Sequence, residues 1–79
     1  MSSEMDILRE ILISIFSNST IPKDCSKLGI GDLDEWDSLG NFNFLLAVEE
    51  EYDLRFDIEE MADIKSVQDV VNYLATRKV

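Results

Sequence analysis

Asp37-Ser38-Leu39-Gly40-Asn41-Phe42-Asn43-Phe44-Leu45-Leu46-Ala47-Val48-Glu49-Glu50-Glu51-Tyr52 contains the longest apolar-plus-acidic run in the chain, and its periodicity decides the fold. Set at helical spacing, Leu39 to Tyr52 forms a helix with two apolar stripes. Phe44, Leu45, Val48 and Tyr52 gather on one side. Leu39, Phe42 and Leu46 gather on another, beside Ser38 and flanked by Asn43, Glu49 and Glu50. The helix is either central and buried on both sides, or lies at the domain edge with its second stripe free to dock a partner. Glu49 and Glu50 must stay solvated, which favours the edge. Ser38, after Asp37 and before the apolar run, reads first as a helix N-cap.

Working outward, Leu8, Ile11, Leu12 and Ile15 follow the i, i+3, i+4, i+7 pattern of an amphipathic helix from Glu4 to Ser17, with Ser2 or Ser3 as its cap. Ile7 and Phe16 widen its buried side, while Glu10 and Ser14 face water. Ser17-Asn18-Ser19-Thr20 and Pro22 end it. The connector from Asn18 to Trp36 carries isolated apolar anchors, Ile21, Leu28, Ile30, Leu33 and Trp36, with a turn around Cys25 to Leu28. Gly29 and Gly31 supply its permissive backbone. On the other side, Asp57 and Glu60 have capping-box spacing and open a short helix whose apolar contacts are Ile58, Met61, Ala62 and Ile64. Ser66 and Asp69 repeat the signal before a last helix with Val67, Val70, Val71 and Leu74 at core spacing. Arg77 and Lys78 suit its C-terminal dipole.

The expected fold class is therefore all-α: a small four-helix bundle of three main helices and one short helix, with a long first loop. Seventy-nine residues make one domain, 1–79.

Seventeen acidic residues against seven basic leave a net charge of −10, which argues against nucleic acid and anionic membrane as partners. Between Asp34 and Asp63 lie eleven acidic residues and one basic residue, Arg55, so the whole net charge sits around Ser38. Such a face is either simply solvated or docks a basic partner. Cys25 is the only cysteine and suits a reducing compartment. No basic leader precedes the Ile11 to Phe16 cluster, so the expectation is a cytoplasmic protein.

The residue inventory restricts the chemistry. Without any His, Ser38 has no base for a Ser-His-Asp arrangement, and an enzyme of that class is excluded. A calcium loop starting at Asp32 fails, because Asp37 stands at the sixth position instead of Gly and Asn43 at the twelfth instead of Glu. No metal site is expected. Modification of the Ser38 hydroxyl by another enzyme needs no base in this chain, and a phosphodiester there would sit at a helix N-terminus, where backbone N–H groups favour an anion.

These residues carry a family resemblance. Asp37-Ser38-Leu39 at the head of the second helix, then Leu45-Leu46-Ala47-Val48-Glu49-Glu50-Glu51-Tyr52, Phe56, and Ile64-Lys65-Ser66-Val67-Gln68-Asp69 to Tyr73, resemble acyl carrier proteins over about half the chain. The resemblance implies an acyl-carrier-like bundle in which Ser38 carries 4′-phosphopantetheine, donated by coenzyme A through a phosphopantetheinyl transferase with magnesium. It implies a non-enzymatic monomer that holds acyl groups as thioesters and delivers them to acyl-loading and acyl-transferring enzymes with basic docking patches. Asp37, Leu39, Phe42, Leu46, Glu49 and Glu50 match the partner-recognition surface, with Met61 and Ala62 beside it on the third helix.

Gly40 and Asn43 stand where housekeeping fatty-acid carriers place acidic residues, and Asp34-Glu35-Trp36 replaces the Leu-Gly step before the motif. The chain is thus more similar to specialised stand-alone carriers of surface-polysaccharide or secondary-metabolite pathways. An aminoacyl or peptidyl carrier is the alternative within this class. Outside it, the alternative is an unmodified acidic adaptor in which Ser38 only caps the helix.

Overall fold

The computed structural model describes residues 4–77, apart from the side chain of Arg77. Four helices follow in order: α1 Glu4–Ile15, α2 Ser38–Tyr52, α3 Ile58–Asp63 and α4 Val67–Arg77. The architecture is all-α, three longer helices and one of six residues, with a long connector between α1 and α2. Helix α1 packs chiefly on α2 and more lightly on α4. The proposed caps Ser2 and Ser3, and Lys78 and the Arg77 side chain at the other end, lie outside the described residues.

The apolar periodicity produces the core. Leu8, Ile11 and Leu12 of α1, Phe44, Leu45 and Val48 of α2, and Val67, Val70 and Leu74 of α4 are buried together. Ile15 is only half-buried, because α1 ends there and the chain turns. Phe16, the next residue, is the one that reaches the core, its N–H still donating to Leu12 O at 2.8 Å. Burial of each such aliphatic side chain stabilises by about 1.5–3 kcal/mol.

The connector is tied down at several points. Arg9 donates from Nε to Pro22 O at 3.0 Å and from Nη2 to Ile21 O at 3.2 Å. The turn at Cys25 to Leu28 is closed by Leu28 N–H on Cys25 O at 3.1 Å. Gly29 and Ser66 form an antiparallel bridge, in which Val67 N–H donates to Leu28 O at 3.0 Å and Ile30 N–H to Lys65 O at 2.8 Å. A Cβ on Gly29 would lie 3.0 Å from Lys65 O, so the two backbones approach this closely only with glycine there. Of the expected anchors, Ile21 and Trp36 are buried and Leu28 and Leu33 half-buried, but Ile30 is 37% exposed. The bridge holds its backbone at the surface.

Helix α3 is set by the Asp57/Glu60 capping box, with Asp57 N–H donating to Glu60 Oε1 at 2.8 Å. It has no buried residue. Met61 is half-buried and Ile58 and Ala62 are exposed, so the apolar contact expected of this segment falls to Ile64, just past the helix end. At α4, Ser66 Oγ accepts from Asp69 N–H at 3.1 Å, and Asp69 Oδ2 accepts from Lys65 N–H at 3.1 Å.

Candidate functional site

Trp36 fixes the direction from which the chain runs into α2. Its ring is fully buried, stacked on Phe16 at 5.4 Å between centroids and meeting Phe44 edge-on at 5.3 Å. Aromatic contacts of this kind add about 0.5–1.5 kcal/mol each beyond burial of area. The indole Nε1–H donates to Asn41 Oδ1 at 3.0 Å, and Asn41 Nδ2 donates to Ile64 O at 2.8 Å. One buried amide thereby joins the connector, α2 and the α3–α4 junction.

Gly40 completes this packing. A Cβ there would run into the backbone carbonyl of Glu35 and lie 3.1 Å from the Phe16 ring. No carboxylate side chain could occupy that position without moving the connector. Glycine at 40 therefore follows from the close approach of the Glu35 carbonyl and the Phe16 ring.

With the entry path set, α2 begins at Ser38, one residue before the expected Leu39. Its N-cap is Asp37, whose Oδ1 accepts from Gly40 N–H at 2.8 Å. The reading of Ser38 as N-cap is thus corrected. Both residue types cap well, and burial of Trp36 puts the extended backbone at Asp37. Ser38 becomes the first helical residue, exposed, with the capping bond already made by its neighbour.

The two stripes of α2 separate as the edge reading expects. Phe44, Leu45 and Val48 are fully buried, whereas Leu39, Phe42 and Leu46 are 69%, 47% and 42% exposed. Ser38, Phe42, Met61 and Ala62 line one groove of about 320 Å³ between α2 and α3, together with Ile30, Asn41, Leu45, Ile58 and Lys65. Leu46, Glu49 and Glu50 line a different depression at the C-terminal end of α2, next to Asp53, Leu54 and Arg55. The residues expected to form one surface are therefore distributed over separate hollows, Glu50 also lining one between α1 and α2, with Asp37 exposed at the N-cap and Leu39 in the first turn.

Glu49 differs from the expected solvated carboxylate. It is half-buried, and its Oε2 accepts a short 2.6 Å hydrogen bond from Phe56 N–H, which holds the α2–α3 connection against the helix. Glu50 is exposed. Asp53 ends α2 in the left-handed region at φ 52°. Glu49, Glu50 and Glu51 lie near the negative end of the helix dipole with no basic residue in the last turn, an arrangement that costs stability.

Sequence reasoning missed Ile58, Lys65 and Asn41 as parts of the groove. Ile58 carried a signal, one large apolar residue between Asp57 and Glu59, and it is 87% exposed. Asn41 and Lys65 carried none, since the contacts that place them in the groove include distant ones, Asn41 with Ile64 O and Lys65 O with Ile30 N–H. Among the described residues no group of three or more Asp, Glu and Cys side chains could hold a metal ion, and no helix is long and apolar enough to cross a membrane. No protein-family model matches the chain, and no solved structure matches it significantly.

Proposed function

We propose that this protein is an acyl carrier protein whose Ser38 is the attachment point for 4′-phosphopantetheine. The observation that carries the reading is the state of Ser38. Its hydroxyl is exposed at the head of α2 and relieved of capping by Asp37, and Ser38 lines a largely apolar groove of about 320 Å³. A serine serving only as a cap would make the bond that Asp37 makes.

These residues fit the group chemically. Ser38 Oγ would form the new bond to phosphorus as the diphosphate linkage of coenzyme A breaks and the nucleotide half leaves, its proton passing to a base on the transferase. When bound, the group supplies a flexible thiol that holds acyl cargo as a thioester. Leu39, Phe42 and Leu46 present apolar contact area, and Asp37, Glu49 and Glu50 set the charge that attracts basic patches on transferase and acyl-handling enzymes. Such charge mainly raises encounter rate and its salt dependence. A monomer working in the cytoplasm as a stand-alone, non-enzymatic shuttle is the setting this implies, in a lipid or secondary-metabolite pathway outside housekeeping fatty-acid synthesis.

Incubation with coenzyme A and a broad-specificity transferase, followed by intact mass measurement, tests the reading. One phosphopantetheine adduct is expected on the wild type and none on Ser38→Ala. Without an adduct, or with one that persists in Ser38→Ala, the carrier reading is wrong and an unmodified acidic adaptor replaces it.

A further inference from the structure

The groove beside Ser38 departs from the electrostatics around it. Eleven acidic residues lie between Asp34 and Asp63, yet none of them lines the groove, whose one charged residue is Lys65. Lys65 is held by its backbone from two directions. Its carbonyl accepts from Ile30 N–H at 2.8 Å and its N–H donates to Asp69 Oδ2 at 3.1 Å. Asp69 thus spends an oxygen on the Lys65 backbone, and among the described residues no carboxylate forms an ion pair with the Lys65 ammonium. In a chain of net charge −10, a lysine left without an ion-pair partner next to an apolar wall of Phe42, Leu45, Ile58 and Met61 marks a place suited to an anion with an apolar tail.

We propose that Lys65 pairs with the phosphodiester of the group carried on Ser38 and holds that group along the groove; this rests on the carrier reading above. Lysine suits the task, as a flexible point charge with three donors that can follow a tethered phosphate without the fixed fork geometry of arginine. An exposed ion pair is weak by itself. Attachment at Ser38 makes the contact intramolecular, and the raised effective concentration favours it without any new surface. A basic patch on a docking enzyme competes for the same phosphate, so docking at α2 would also draw the group out of the groove.

The test uses protein modified at Ser38 and verified by intact mass, in wild type, Lys65→Gln and Lys65→Arg. Carbon-13 methyl spectra of Met61 and Ala62, both in the groove, are compared before and after modification. Modification is expected to shift both methyls in the wild type. The shift should fall by roughly half or more in Lys65→Gln, persist in Lys65→Arg, and shrink as salt is raised to about 0.5 M. Lys65 is exposed, so both variants should fold, which unchanged Trp36 emission verifies. Equal shifts in all three proteins would overturn the role of Lys65 and leave the carrier reading standing. No adduct on the wild type would overturn both.

Discussion

The Trp36 indole donates its Nε1–H to Oδ1 of Asn41 at 3.0 Å, and the same amide passes a second bond to Ile64 O at 2.8 Å. Asn41 is the one buried polar side chain among the described residues, 6% exposed. Its replacement by Leu keeps the volume but strands an indole N–H and a carbonyl inside the fold. Each stranded group costs about 1–3 kcal/mol, so a loss of roughly 2–6 kcal/mol is expected for Asn41→Leu. Urea unfolding followed by Trp36 emission measures it, and a loss under about 1 kcal/mol would show that the amide does not join these segments.

Gly40 and Asn43 share α2 but face opposite constraints. In a free helix, alanine improves on glycine by about 1 kcal/mol and on asparagine by about half that. Asn43 is exposed, so Asn43→Ala should stabilise as propensity dictates. Gly40→Ala should instead destabilise, because the new Cβ meets the Glu35 carbonyl and the Phe16 ring. Opposite signs in thermal melts are the expected result.

Glu49 and Glu50 are adjacent and chemically identical, yet only Glu49 holds backbone, through the 2.6 Å bond from Phe56 N–H. A hydrogen bond to a charged group contributes about 1.5–3 kcal/mol, so Glu49→Ala should cost stability on that scale. Glu50→Ala should change stability by no more than about 0.5 kcal/mol, with a gain favoured by the helix dipole. Equal denaturation midpoints for the two variants would refute this division.

Cys25 and Tyr52 both resist ionisation in the folded protein. Burial pushes the Cys25 thiol above its ordinary 9.0 and, with the negative charges of Glu4 and Glu51, pushes the Tyr52 phenol above its ordinary 10.0. The folded state therefore binds more protons than the unfolded chain at alkaline pH, and stability falls as pH rises. Their contribution is fully present below pH 9.0, begins to be lost above it, and is gone only beyond the raised folded values. Melts between pH 8 and 11 should show that decline. Iodoacetamide at pH 8 should label Cys25 slowly in the native protein and rapidly in urea, since the thiol is fully buried against Met5 Sδ at 3.7 Å.

Much of this was legible in the residues alone. The helical periods of Leu8, Ile11 and Leu12 and of Val67, Val70 and Leu74 locate two core faces. The division of α2 into Phe44, Leu45 and Val48 against Leu39, Phe42 and Leu46 is already present in spacing. The Asp57/Glu60 and Ser66/Asp69 signals fall at the starts of α3 and α4, because capping is local and involves residues three apart. The candidate site was legible only as a serine at the head of a helix beside an acidic apolar strip.

The choice of Asp37 over Ser38 as cap was not legible. Neighbouring Asp and Ser are near-equal caps, and the tie is broken by Trp36, whose position depends on Phe16 and Phe44. Nor could spacing reveal that Glu49 turns inward to Phe56 N–H, that Asn41 is buried, or that Lys65 reaches the groove of Ser38. Helices, stripes and the location of charge are properties of a few consecutive residues, and the sequence alone determined them. Which hydroxyl stays free, which carboxylate is committed and which basic residue shares a groove with Ser38 depend on hydrogen bonds and contacts between separate segments, as from Asn41 to Ile64. Only the packed tertiary structure brings those partners together, and it alone decided them.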